Sequence, residues 1–218
     1  MKTLAIVWGL LLAAVLAYSS PLDKARELTV LITNNSMGGM GAGTGVLIDP
    51  THVLTCFHML ETPKDDFMVY TYPLGRVVRA HAEGGAKGDD LMILVLESSV
   101  TVKVPPVFQN RITIGEPITV VGNALGGMLW FVTKGVISGE SQGFLLTDAL
   151  INPGNSGGPW FNDKGEIVGI SDWGIGPLPH IHGLSGGISS ISINRMLDAW
   201  AQQRDMMFLL KVLQGEKK

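Results

Sequence analysis

One cysteine, Cys56, stands in 218 residues, so the chain cannot close an intramolecular disulfide and its stability must come from packing. Charge is also scarce. Only 16% of residues are Asp, Glu, Lys or Arg and the formal net charge is −3, which gives no global electrostatic ground for nucleic acid or an anionic membrane surface as a partner. Repeats of solenoid or propeller period and low-complexity blocks are missing too. With 46% apolar residues against so little charge, the chain can bury enough surface to offset conformational entropy, which excludes a disordered protein. The length suits one domain, or one domain of two similar halves.

Glycine, by contrast, is plentiful: 28 of 218 residues, about 13% against an ordinary ~7%, without a collagen-like period. Short apolar segments such as Leu28–Thr33, His52–Thr55, Leu91–Leu96, Ile118–Val121, Glu166–Ser171 and Gly187–Ile191 are strand length. They are rich in Val, Ile and Thr and bounded by Gly, Pro, Asn or Asp. An all-β body of two packed barrels or sheets is expected over 22–192, with halves near 22–100 and 112–192. The stretch Ser98–Glu116, holding Pro105-Pro106, reads as their connection.

The N-terminus has Lys2, an apolar run Leu4–Ala17, then Tyr18, Ser19, Ser20 and Pro21, the order of a secretory signal with small residues at Ala17 and Ser19 for cleavage. The run is shorter than the roughly 20 residues a straight spanning helix needs. Residues 1–19 are therefore expected to be a signal peptide, with an uncleaved signal anchor as the alternative. That makes the protein secreted or periplasmic, or else membrane-anchored. At the other end, Ile193, Met196, Leu197 and Trp200 fall at helical spacing, predicting an amphipathic helix over Ile193–Gln203 within a C-terminal helix and tail, 193–218. A polar break at Gln202–Asp205 precedes the apolar cluster Met206–Leu210. That cluster packs on its own domain or contacts a partner, a membrane or a second copy, so a homo-oligomer stays open.

The most specific segment is Thr147-Asp148-Ala149 followed by Asn152-Pro153-Gly154-Asn155-Ser156-Gly157-Gly158-Pro159. Glycines on both sides allow Ser156 to sit on a tight loop where backbone N–H groups converge. A hydroxyl is a poor nucleophile at neutral pH and needs a base, which in turn needs a group to fix its tautomer. Upstream, His58 closes a strand-turn-strand pattern that begins at Gly43-Thr44-Gly45, and Asp90 stands at the entry of the apolar run Leu91–Leu96. Asp89 is the alternative to Asp90. His, Asp, Ser in chain order, each at a strand end, is the order of a nucleophilic hydrolase triad of chymotrypsin type.

The chain resembles the trypsin-like serine proteases with the chymotrypsin fold, most closely the HtrA/Deg-type branch. Four blocks carry the likeness in order: Gly43–Asp49 leading to Leu54-Thr55 and His58; Asp89-Asp90-Leu91-Met92-Ile93-Leu94; Val121-Gly122-Asn123 with Gly126 and Val132–Ser138; and Thr147–Pro159. The resemblance implies two six-stranded β-barrels with a cleft between them and a serine endopeptidase acting on proteins or peptides, without metal or organic cofactor. It implies Ser156 as nucleophile, His58 as base and Asp90 as the residue that orients His58. The N–H groups of Gly154 and Ser156 would form the oxyanion hole, where one donor is worth about 3–4 kcal/mol.

Leu150 would form the base of the specificity pocket, with Trp173, Gly174 and Gly187 in its wall. An uncharged base points to cleavage after an apolar residue, whereas Asp172, if turned into the pocket, would admit Lys or Arg. The family's peptide-binding PDZ module and its trimer contacts have no match here and are not carried over. Cys56 is expected to be a buried apolar-type side chain, and His52, His81, His180 and His182 structural or surface residues. The alternatives to a protease are a catalytically silent binding protein on the same fold and an esterase.

Overall fold

The structure is a computed structural model, and it describes residues 20–34, 41–59, 66–127, 129–172 and 183–213. The apolar N-terminal run, Trp173, Gly174, His180 and His182 lie outside the described residues.

The strands β1 (Thr29–Asn34), β2 (Gly41–Asp49), β3 (His52–Cys56), β4 (Phe67–Thr71), β5 (Val77–Ala86) and β6 (Leu91–Leu96) form one closed barrel in the order β1-β2-β3-β6-β5-β4. A second barrel closes in the order β7-β8-β9-β12-β11-β10. Its strands are β7 (Pro117–Gly122), β8 (Phe131–Ser141), β9 (Phe144–Thr147), β10 (Pro159–Phe161), β11 (Ile167–Ser171) and β12 (Ser185–Ser189). Neighbouring strands run antiparallel throughout. The all-β double barrel expected from the sequence is therefore the fold observed. A helix closes the chain, also as expected.

Burial explains why several strands read as nearly unbroken apolar runs rather than as alternating ones. The interior of the second barrel is a separate cluster around Trp160, Ile137, Leu145 and Val168. The neighbouring residues Phe161, Ile167, Ile170 and Ile188 instead join the first barrel's core, which includes Ile32, Leu54, Phe67, Met92 and Leu94. Residues on both faces of β10 and β11 are thus buried, one set in their own barrel's core and the other in the larger cluster. Trp160 is fully buried, and its indole N–H donates to Ser171 Oγ at 2.9 Å, so the polar atom of the largest core residue is satisfied.

Three elements depart from the sequence expectation. Pro21–Leu28 forms a short helix, α1, held by a capping box: Ser20 Oγ accepts from Asp23 N–H at 3.1 Å and Asp23 Oδ2 accepts from Ser20 N–H at 3.2 Å. Strand β10 was not expected, because three residues opening with proline carry too little pattern. The last helix, α2, spans Ser190–Leu213; it starts earlier than Ile193 and runs through Gln202–Asp205 without a break. Gln and Arg are good helix formers, and residues 201–208 are all exposed, so polarity there marks a solvated stretch rather than an end. Ile193 and Met196 are buried against the barrels. Further along α2, Arg204 stacks over the Trp200 ring at 4.6 Å, and that ring meets His52 edge-on at 5.0 Å. His52 in turn is bound through Nδ1 to Asp49 at 2.7 Å, which fixes α2 to the first barrel.

Trp160→Ala is expected to destabilise the fold by about 3–5 kcal/mol, through lost burial and the cavity left behind, measured as a lowered urea midpoint at unchanged slope.

Candidate active site

Strand register brings the first two candidate groups together. Cys56 at the end of β3 pairs with Leu91 at the start of β6, so the residues just after β3 and just before β6 leave the barrel side by side. His58 lies in the 3₁₀ turn Phe57–Met59 and Asp90 follows the turn Lys87–Asp89. Three hydrogen bonds tie the two turns. Phe57 N–H donates to Asp90 O at 2.9 Å, His58 N–H donates to Asp90 Oδ1 at 2.8 Å, and His58 Nδ1 meets Asp90 Oδ2 at 2.6 Å. Asp90 has φ 52° and ψ 37°, a left-handed conformation that a short polar side chain tolerates better than a bulky one. Its neighbour Asp89 instead faces Arg195 on α2 at 3.5 Å.

Ser156 sits on the loop between β9 and β10, where three backbone donors around it are engaged. Asn155 N–H donates to Asn152 O, Gly157 N–H to Ser171 O and Gly158 N–H to Asn155 O, at 2.7–3.0 Å. Among the described residues, the N–H groups of Gly154 and Ser156 meet no acceptor. Gly154 (φ 95°) and Gly157 (φ 80°) adopt backbone conformations that a side chain would strain, and a Cβ there would collide with Asn123 O and Thr44 O respectively.

Thr44 on β2 joins this loop to the first barrel. Its N–H donates to Ser156 O at 2.9 Å, and its hydroxyl donates to Gly154 O at 2.7 Å and accepts from Asn123 N–H at 2.9 Å. Its carbonyl accepts from Thr55 Oγ1 at 2.7 Å. Cys56 adds a second tie, its Sγ lying 3.2 Å from Ser171 O. The thiol is fully buried, as expected, but it bonds across to the second barrel rather than only filling the first.

Hydrogen bonding to Asp90 raises the pKa of His58 above its ordinary value and outweighs burial, which acts the other way; the charges of Asp90 and Asp172 add to the rise. For Asp90, burial opposes ionisation, but the bonds and charge of His58 hold its carboxyl below the usual range. Burial pushes the Cys56 thiol well up. Cys56, His58, Asp90 and Asp172 each bring one ligand-type atom within 4.8 Å of the others, a spacing a metal ion could also meet. Within the set, His58 Nδ1 and Asp90 Oδ2 share a hydrogen bond of 2.6 Å.

Residues 43–170 match the trypsin-like peptidase domain family. The chain belongs to that family. Over 154 residues it is 30% identical to the serine endoprotease DegS of Haemophilus influenzae, covering 66% of this chain and 44% of that protein. A Hahella chejuensis protein named "Probable periplasmic serine endoprotease DegP-like" is 31% identical over 142 residues, 60% of this chain and 29% of its own. The crystal structure of a serine endoprotease from Yersinia pestis superposes with a TM-score of 0.71 at 27% identity, over 84% of this chain and 67% of that one. The chain thus spans less than half the length of these two curated relatives of the trypsin-like peptidase family.

Of the pocket residues expected from sequence, Leu150 is 62% exposed and Gly187 is buried on β12 between Ser171 and Leu145. Asp172, which the sequence left free to face the pocket, is 4% exposed and lies with its carboxylate 3.9 Å from His58 Nδ1. Thr44 and Asn123 were missed as site residues, although both lie inside blocks that carried the family resemblance. Thr44→Val keeps the shape but strips two buried backbone groups of their partner. It is expected to cost about 2–4 kcal/mol by urea denaturation, and Thr44→Ser should recover most of that.

Proposed function

We propose that this chain is an exported serine endopeptidase that cleaves peptide bonds through an acyl-enzyme. The observation that carries the reading is the grip of Asp90 on His58, through the imidazole at 2.6 Å and the backbone N–H at 2.8 Å. Nδ1 bound to a carboxylate keeps its proton, which leaves Nε2 as the lone-pair nitrogen of the neutral ring. Ser156 Oγ attacks the substrate carbonyl carbon and Nε2 takes the hydroxyl proton. The negative charge that develops on the carbonyl oxygen is received by the N–H groups of Gly154 and Ser156, which have no acceptor among the described residues. Collapse of the tetrahedral species breaks the C–N bond, His58 passes its proton to the leaving amine, and water then hydrolyses the ester by the same route. Asp90 holds the imidazolium but takes no proton.

The preferred residue before the cut is apolar. Leu150 supplies no counter-ion, and Asp172, the acid that could have paired with Lys or Arg, is turned to His58. Periplasmic location or secretion is supported by the Lys2, Leu4–Ala17, Ser19 pattern and by the periplasmic names of relatives.

A fluorophosphonate probe should label the purified protein and label neither Ser156→Ala nor His58→Ala; a folded wild type that stays unlabelled would overturn the hydrolase assignment. The pH profile follows from His58. Only neutral imidazole can accept the proton, so kcat/KM should fall as pH drops through a pKa above the ordinary 6.5, and Asp90→Asn should move that fall to lower pH.

A further inference from the structure

His52 opens β3 beneath α2, is 5% exposed, and has no part in the chemistry proposed for Ser156. Both of its ring nitrogens are engaged. Nδ1 lies 2.7 Å from Asp49 Oδ2 and 3.1 Å from Thr51 Oγ1. Thr51 directs its own donors at Asp49, the N–H at 2.6 Å and the hydroxyl at 3.0 Å, so Nδ1 supplies the proton in both of its contacts. Burial opposes ionisation of Asp49, but the bonds from Thr51 and His52 hold its carboxyl below the usual range, which keeps a charged acceptor in front of Nδ1. The neutral ring therefore carries its lone pair on Nε2.

Nε2 faces two groups with opposite demands. Glu83 Oε2 on β5 lies 3.2 Å away and, as an ionised carboxylate, can only accept; Arg204 Nη1 on α2 lies 3.4 Å away and can only donate. One nitrogen cannot serve both at once. Among the described residues, the charged and titratable groups facing the ring are Asp49 from β2, Glu83 from β5 and Arg204 from α2. Strand β6 brings Val95, paired with His52, and the exposed His81 of β5 stands on the far side of Val95. Trp200 of α2 completes the cover, edge-on to the ring at 5.0 Å and so close to Gly84 that a Cβ there would stand 3.2 Å from its Cδ1.

We propose that His52 is a pH-operated latch for α2. With the ring neutral, Nε2 accepts from Arg204 and the helix is tied to the first barrel. With the ring protonated, Nε2 donates to Glu83 and Arg204 is left facing a cation. Among the described residues, Arg204 is the outermost residue of α2 with a hydrogen bond to the barrel, and residues 205–208 beyond it are exposed. Acid therefore frees the outer part of α2, which carries the exposed Met206, Met207 and Phe208, while Ile193 and Met196 keep its first turns buried. Imidazole is the side chain that ordinarily changes charge between about pH 5 and 8, so the exchange needs no other group to titrate. The inference concerns how α2 is held and does not depend on the hydrolase reading.

The test follows the purified protein by NMR from about pH 8 down to about pH 5. As the His52 ring signals titrate in the wild type, protection of the backbone amides of residues 205–208 against hydrogen exchange, corrected for the intrinsic effect of pH, is expected to fall about tenfold. Arg204→Leu removes the donor that needs the lone pair, so the ring should keep its proton to higher pH and these amides should be poorly protected throughout. Glu83→Gln removes the acceptor that needs the proton and offers an amide donor instead, so both ring titration and helix release should move to lower pH. Both side chains are exposed, so both variants are expected to fold, and the wild-type titration decides the matter should either fail. A wild-type ring that titrates with no change of protection at 205–208, or does not titrate over this range, overturns the proposal. So does a shift of the ring titration in the same direction in both variants.

Discussion

Thr44 connects two barrels that otherwise meet largely through apolar contact. Apolar contact is not directional, so by itself it would let the barrels slide by fractions of an ångström. The backbone N–H and hydroxyl of Thr44 reach three groups of the second barrel, Ser156 O, Gly154 O and Asn123 N–H, from one fully buried residue. Leaving a buried polar group of this kind without its partner costs about 1–3 kcal/mol. The position of the Ser156 loop relative to the end of β3 is thus set by hydrogen-bond geometry. Trp130 Nε1 donating to Thr29 O at 2.9 Å and Cys56 bonding to Ser171 O hold the seam at two further points.

The His58–Asp90 pair is built on a different principle, strand register. Its two members are 32 residues apart in the chain, but pairing of Cys56 with Leu91 leaves them no other place to go. A slip of one residue between β3 and β6 would exchange the two buried faces of Leu91–Leu94 and carry Asp90 out of line with His58, so the same pairing that forms the barrel also aligns the acid with the base. The glycine loop is specified more locally. Positive φ at Gly154 and Gly157 and the close approach of Asn123 O and Thr44 O leave no space for a side chain.

Much of this was legible in the sequence because it depends on residue type at fixed order: the apolar runs of β3 and β6, the Gly-flanked Ser156, and His58 and Asp90 at strand ends. What was not legible depends on orientation. The sequence shows an acid at position 172, but whether it faces a pocket or the imidazole is decided by the path of the chain after β11, fixed by the bond from Asp172 N–H to Gly186 O. Thr44 looked like one residue of a glycine-rich strand, since its partners lie 79 and 110 positions away. The helix α2 was shortened because a polar stretch on a solvated helix and a polar loop have the same composition. Strand β10 escaped because Pro159–Phe161 gains its strand character from neighbours on both sides, β7 and β11, and not from its own pattern.

The Cys56 thiol has a use that follows from its address. It is the sole sulfhydryl of the chain, it is fully buried, and its sulfur rests on a carbonyl of the opposite barrel. A reagent in solution reaches it only when the seam parts. The pace of its modification therefore measures how often the barrels separate, without any label being added to the protein.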